Sequence, residues 1–407
     1  MSTAKYVAAV RSVSKRFMLV LALLAIVVGG FAAGAAAAGV QKPADVGIDS
    51  LAVDAGNIYG LGSNDHVYSY DKTTGVWTDV YEQSTQPATC PAGQTGTPPN
   101  CVTPPTTSTI TSGIAVSGLE FAESTLPGVA GTNYNVNSQQ RYTDLSAKGF
   151  KSVRLPFLSG RLFPTAGGAV DATYAGYIQQ NIAWAKNAGM DVWLDAHDYA
   201  RYKGNQVGST GYTQAEFVRQ KVAIVNQFKA NTNLKGFEID NEPHDLSIGR
   251  TGWYGATSQA FWAIQDTGWT GTIGIPTYGW SSNDNFFVEH GTNFTAPIKN
   301  DRAVYVFHNY FNAGNTGYNH PAVPDETAQI HVDRIAAVID WAKAQGVKIA
   351  VTEFGMPGTQ AWIDNAKPFV AKLKAESATV VWSSYWASGD WYASETKFVD
   401  LHLQLWQ

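Results

Sequence analysis

Charge is scarce in this chain. Asp, Glu, Lys and Arg together make 15% of its 407 residues, and the net charge is −5. No basic run follows the N-terminal segment. A nucleic-acid partner needs a basic face, so that class is excluded. Cysteine is nearly absent: Cys90 and Cys101 are the only two. Both lie in a Pro/Thr/Gly-rich stretch, and in an oxidising compartment they are expected to bond to each other across a short loop. Long apolar runs are also missing. Phe17 to Val28 is an apolar stretch that follows the basic Arg11, Lys15 and Arg16 and precedes small residues, Gly29 to Gly39, with several Ala-x-Ala sites. It is short for a membrane span, so residues 1–39 read as a cleaved secretion signal. A retained anchor, lengthened by the Ala/Gly run to about 20 residues, is the alternative. The expected location is therefore extracellular or periplasmic.

Aromatic residues stand where charge is missing. The chain has 13 Trp, 19 Tyr and 18 Phe. So many wide rings either fill a large core or lie partly in a cleft, where the C–H faces of sugars stack on them.

Residues 45–82 alternate apolar and polar positions, as in Leu51-Ala-Val-Asp-Ala-Gly-Asn-Ile-Tyr59, with turn residues between the runs. That pattern predicts three or four short strands. It resembles a single blade repeat of a β-propeller of the tectonin or kelch type. Residues 83–111 are rich in Gln, Ser, Thr, Pro and Gly and read as a linker.

The main domain is expected over 112–407. Strand-like runs occur at Ile114–Phe121, Ser152–Phe157, Asp191–Asp198, Leu234–Glu242, Thr272–Tyr278, Ala303–Tyr310, Lys348–Gly355 and Thr379–Trp386. Amphipathic stretches lie between them: Tyr174–Ala188, Gln214–Ala230, Gln259–Thr267, Ala328–Gln345 and Trp362–Ala375. Eight strands alternating with helices fit an α/β fold of the (β/α)8, or TIM, barrel type. An open doubly wound sheet would carry a Gly-rich phosphate turn after its first strand, and none is present.

A barrel of this kind builds its site at the C-terminal ends of its strands. Those ends carry Arg154, His197 with Asp198, Asn241 with Glu242, Trp280, His308 with Tyr310, Glu353, and Trp382 with Trp386. Glu242 and Glu353 each close a short apolar run. Two carboxylates so placed are what cleavage of a glycosidic bond requires: one protonates the leaving oxygen and the other attacks the sugar carbon.

Seven features make a resemblance specific: Gly118-Leu119-Glu120, Val153-Arg154-Leu155-Pro156, His197, Asn241-Glu242-Pro243-His244, His308-x-Tyr310, Thr352-Glu353-Phe354-Gly355 and Trp386-Ala-Ser-Gly-Asp-Trp391. With them, residues 112 to 395 resemble glycoside hydrolase family five, the cellulase family, and within it the fungal-type endo-β-1,4-glucanases. The resemblance does not extend to residues 1–111. It implies that Glu242 is the general acid/base and Glu353 the nucleophile of a retaining double displacement. Asn241 would bond the 2-hydroxyl of the attacked sugar. Arg154 and Tyr310 would hold Glu353, and His308 would polarise Glu242. His197 would bind hydroxyls on the nonreducing side, and Asp198 would bind sugar or face Lys203 or Arg201. Trp386, or less favourably Trp382, would form the platform under the scissile sugar, and Trp280 would stack a neighbouring one. The chain departs from the family where Asn usually follows the strand-three histidine, here Asp198, and at Asp240, where Met or Asn is common. It departs again at Tyr278-Gly279, where Gly-Asn is often seen.

No cofactor and no metal is expected. The expected partner is a β-linked polysaccharide, acted on by a monomer. Other readings are a mannanase, xyloglucanase or other β-glycanase on the same scaffold, and a non-catalytic sugar-binding barrel, which would need neither glutamate. A metal-dependent barrel hydrolase using His197, Asp198 and His308 would carry a His-x-His on its first strand, where Gly118-Leu119-Glu120 stands.

Overall fold

The computed structural model describes residues 48–54, 57–62, 67–71, 76–79, 110–317, 320–391 and 403–405. The expected leader, Cys90 and Cys101 lie outside them, as does the expected linker except for its last two residues. The chain divides into two compact units, residues 1–104 and 105–407.

In the first unit, β1 (Ile48–Asp54), β2 (Asn57–Gly62), β3 (Val67–Asp71) and β4 (Val76–Asp79) form an antiparallel sheet in chain order. Each strand pairs with the next, so the sheet is a simple meander.

In the second unit eight parallel strands close into a barrel: β5 (Thr111–Val116), β6 (Ser152–Phe157), β7 (Asp191–Ala196), β10 (Leu234–Glu238), β11 (Thr272–Pro276), β12 (Ala303–Tyr310), β13 (Lys348–Gly355) and β14 (Val380–Ser388). A small hairpin, β8 (Arg201–Tyr202) and β9 (Asn205–Gln206), is inserted after β7. The helices are α1 (Gln139–Ala147), α2 (Ser159–Leu162), α3 (Ala172–Asn187), α4 (Gln214–Phe228), α5 (Gly249–Gln265), α6 (Phe286–His290), α7 (Ala328–Gln345) and α8 (Gln360–Ala375).

Local chemistry explains the helix ends. Ser138, Asp171 and Thr213 each accept the amide three residues on and so start α1, α3 and α4. Gly346 ends α7 in the left-handed conformation that a residue with a Cβ resists. The apolar stripe of each long helix packs on the outside of the barrel, where most of the core lies.

Inside the barrel the packing changes from apolar to charged. Trp193 and Trp382 stack at 4.4 Å beside Val304 and Ala350. Gly113 and Gly236 make room for them, because a Cβ at either would strike an indole ring. Toward the strand C-termini the interior carries Arg154, Asp195, Glu238 and Thr352, all fully buried.

Three expectations need correction. The first barrel strand runs over Thr111–Val116 rather than Ile114–Phe121, because the chain leaves the sheet at Ser117-Gly118, with Gly118 at φ 145°. The fourth strand ends at Glu238 rather than Glu242, and Glu242 itself takes a left-handed φ of 41°. The helix expected over Gln259–Thr267 begins ten residues earlier, at Gly249. Gly249, Gly252 and Gly255 lower its intrinsic propensity, and packing of Trp253 and Phe261 overrides it.

Candidate active site

A cavity of about 940 Å³ opens at the C-terminal end of the barrel. Glu242, Glu353, His308, Tyr310, His197 and Trp386 line it. One oxygen of Glu242, a ring nitrogen of His308 and one oxygen of Glu353 all lie within 4.8 Å of one another. Residues 66 and 111 positions apart along the chain therefore meet because the barrel closes.

Arg154 organises the floor. Its Nη1 reaches Glu353 Oε1 at 2.5 Å. Its Nε and Nη2 hold the two oxygens of Glu238 at 2.9 and 3.0 Å, a bidentate pair. Nη2 also donates to Asn241 Oδ1 at 2.8 Å and lies 3.0 Å from Asp195. One buried cation thus faces three carboxylates.

Glu353 accepts the Tyr310 hydroxyl at 2.7 Å. Burial would raise its carboxyl, but His308, Arg154 and His197 act against burial, and with the Tyr310 bond they bring it down to about 2. Glu353 is therefore an anion at any ordinary pH. Glu242 is pushed the other way. Burial is the largest cause, the Glu353 anion adds to it, and His308 opposes. The two carboxyls are thus driven apart, Glu353 toward the ionised form and Glu242 toward the protonated one.

His308 Nδ1 lies 2.7 Å from Glu242 Oε1 and 3.6 Å from Glu353 Oε2. Burial disfavours its charged form, but the two glutamates outweigh burial and raise its pKa. Tyr310 is raised well above the usual phenol value by burial and by Glu353, so it stays a donor. His197 bonds Asp195 through Nδ1 at 2.7 Å, and that carboxylate overcomes burial to raise the ring to about 9. Its ring stacks on Trp386 at 5.2 Å and 14°. Trp280 is exposed at the rim, 3.3 Å from a parallel His244, whose Nδ1 bonds the Glu242 carbonyl.

His197, Glu242, Trp280, His308, Tyr310, Glu353 and Trp386 line one cleft, and Arg154 and Asn241 are buried behind it, Arg154 bonded to both Glu353 and Asn241. Two expected residues behave differently. Trp382 is buried in the barrel interior, stacked on Trp193 and bonded through Nε1 to Ser152; it cannot be a platform. Asp198 lines the cleft but faces neither Lys203 nor Arg201. Its Oδ1 accepts the Ser159 amide, and Oδ2 lies 3.8 Å from Lys221. Lys221, fully buried on α4, also pairs with Asp240 at 3.0 Å. Asp240 Oδ1 in turn accepts the amides of Ala200 and Asn241. The two aspartates that depart from the family pattern thus converge on one buried cation.

Sequence reading assigned no role to Glu238, Asp195 or Lys221. A signal existed for each. Glu238 and Asp195 are charges inside apolar strands, and Lys221 lies on the buried stripe of Phe217, Ile224, Val225 and Phe228. Among the described residues, Glu242, His308 and Glu353 are the one group able to share a cation. Their facing atoms are already committed to one another, to Arg154 and to Tyr310.

Residues 112–389 match the family described as Cellulase (glycosyl hydrolase family 5). Endo-beta-1,4-glucanase B of Emericella nidulans is 27% identical over 292 residues, covering 69% of this chain and 83% of the relative. Manganese dependent endoglucanase Eg5A of Phanerodontia chrysosporium is 26% identical over 294 residues, covering 70% and 73%. Among solved structures, an endo-beta-1,4-glucanase of Xanthomonas axonopodis pv. citri superposes with a TM-score of 0.65 at 27% identity, covering 70% of this chain and 90% of that one. The Pseudomonas stutzeri endoglucanase Cel5A gives 0.65 at 25% identity, covering 72% and 93%.

Proposed function

The chain belongs to glycosyl hydrolase family 5, and from that membership we propose that it is an endo-acting β-1,4-glucanase that cleaves internal bonds of a β-glucan with retention. The observation that carries this reading is the pair Glu242 and Glu353, with oxygens within 4.8 Å and carboxyls driven apart in acidity. Retaining enzymes hold their carboxyl groups about 5–5.5 Å apart, too close to admit a water between them.

In the first step the Glu353 carboxylate attacks the anomeric carbon while the Glu242 carboxyl gives its proton to the leaving oxygen. A glycosyl ester forms and the glycosidic C–O bond breaks. Esterification removes the Glu353 charge, so the acidity of Glu242 returns toward normal. Glu242 then takes a proton from water, the hydroxide equivalent attacks the same carbon, and the ester breaks. Arg154 and Tyr310 keep Glu353 anionic and oriented. Asn241, held by Arg154, faces the 2-hydroxyl. His197 and Trp386 form one wall under the sugar, and Trp280 stacks a neighbouring residue of the chain.

Among the described residues the one group able to share a cation contains Glu242 and Glu353, and a cation there would occupy both carboxyls. No metal is therefore assigned to the reaction, whatever the name of the Phanerodontia chrysosporium relative implies for that protein. We further propose that the enzyme acts outside the cytoplasm as a monomer. The leader reading supports export. No helix among the described residues is long and apolar enough to cross a membrane.

The test is a panel of carboxymethylcellulose, barley glucan, mannan, xyloglucan and xylan with reducing-end detection. Highest turnover is expected on the two glucans, with a fast fall in viscosity from internal cleavage. Preference for mannan or xyloglucan would move the chain to another β-glycanase activity.

A further inference from the structure

We propose that Thr352 and Glu238 form a buried relay that sets the proton on the acid/base. The Glu238 carboxylate orients the Thr352 hydroxyl, which accepts the Nε2–H of His308 and leaves Nδ1 of that ring basic toward Glu242. The proposal rests on the reading of Glu242 as the acid/base.

Four groups lie in line. Glu242 Oε1 is 2.7 Å from His308 Nδ1, His308 Nε2 is 3.0 Å from Thr352 Oγ1, and Thr352 Oγ1 donates to Glu238 Oε1 at 3.1 Å. The direction of the bonds follows from the donor count. A hydroxyl has one proton to give. Glu238 receives it, so Oγ1 can only accept from the ring, and Nε2 must carry a hydrogen. The second ring nitrogen then meets Glu242 across a 2.7 Å gap that needs one proton. That proton sits on Glu242 before the leaving group departs, and the pair keeps it as long as the ring is a strong enough acceptor. An acceptor backed by an anion at Nε2 strengthens the ring in that role, as a carboxylate does for a catalytic histidine.

The surrounding charges fit this arrangement. His308 faces Glu242, Glu353 and Glu238, with Arg154 as the opposing cation. Glu238 faces Arg154, Asp195 and His308; burial raises its carboxyl to about 7 against Arg154, so the anion of the relay is the form present on the alkaline limb. Glu242 faces Glu353, His308 and His197. Thr352 carries no charge and is fully buried, so replacing its hydroxyl by a methyl cuts the relay and leaves the Arg154 pairs in place. Thr352 and Glu238 touch neither substrate nor reacting atoms and are positioning residues.

The experiment measures kcat/KM against pH for the wild type, Thr352→Val and Thr352→Ser. Two substrates are used, a cello-oligosaccharide, which needs a proton on its leaving group, and 2,4-dinitrophenyl cellobioside, which does not. With Thr352→Val the alkaline limb on the oligosaccharide should fall by about one pH unit, the scale of one hydrogen bond to a charged group. The loss above the optimum should be about tenfold and smaller on the dinitrophenyl substrate. Thr352→Ser should restore the limb. If Thr352→Val does not fold, Thr352→Ala carries the same test. An unmoved limb, or equal losses on both substrates, would overturn the relay. Azide rescue of Glu242→Ala on the dinitrophenyl substrate separates the two levels. Rescue with an unmoved limb in Thr352→Val means that the relay alone is wrong. No rescue means that the acid/base reading fails and takes the relay with it.

Discussion

Arg154 touches Glu353 through a single nitrogen, Nη1, and gives its other two to Glu238. The nucleophile is thus held by a cation whose orientation another carboxylate sets. Replacing Arg154 by Met would leave Glu238, Asp195 and Glu353 buried without their shared cation. The cost is expected to be about 3–5 kcal/mol of stability, the range for breaking a buried ion pair from one side. The acid limb of the activity profile should also rise, because Glu353 would lose one of the charges that bring it to about 2. Denaturant midpoints and a pH–rate profile measure the two effects separately.

The two glutamates should part company when each is removed. Glu242→Ala keeps a nucleophile, so an aryl glycoside with a good leaving group should form the ester and stall. Added azide should then release a β-glycosyl azide. In Glu353→Ala azide should take the nucleophile's space and give the α-azide. Each variant should lose about 10²–10⁴-fold or more on a natural glucan. Chromatography and NMR of the azide product decide the assignment, and reversed anomers would exchange the two roles.

Asp198 predicts a pH dependence of stability. Burial raises its carboxyl to about 7, with Lys221 opposing. Between about pH 4, the ordinary aspartate value, and about pH 7 the unfolded chain has lost this proton and the native state keeps it. The contribution is present below that window and is lost as pH rises through it. Asp198→Asn has no such proton, and Lys221 keeps Asp240 as a partner. The melting temperature of Asp198→Asn minus that of the wild type should therefore grow from pH 4 to pH 7. A flat difference would mean that Asp198 is already ionised in the native state at pH 4.

The barrel was readable because its strands are apolar runs of the right length: Ser152–Phe157, Ala303–Tyr310 and Lys348–Gly355 stand where the sequence puts them. Site residues were readable too, since Arg154, His308 and Glu353 are polar or charged groups within apolar strands. What stayed hidden was pairing across the barrel. Nothing in the local pattern says that Lys221 of α4 meets Asp240 after β10, or that Arg154 takes Glu238 in a bidentate grip. Trp382 was ambiguous for a related reason. Strand alternation gives its side, but not its depth, and depth separates a buried indole from a sugar platform. The left-handed φ of Glu242, four residues past the strand end at Glu238, also has no signal in a non-glycine residue.

The central claim is retention by the pair Glu242 and Glu353, and the anomeric configuration of the first product tests it most directly. Proton NMR of a cello-oligosaccharide digest, recorded in the first minutes before mutarotation, should show the β-anomer at the new reducing end and α appearing only later. An α-anomer at the outset would mean that water attacks directly, and that oxygens within 4.8 Å of each other do not act as nucleophile and acid.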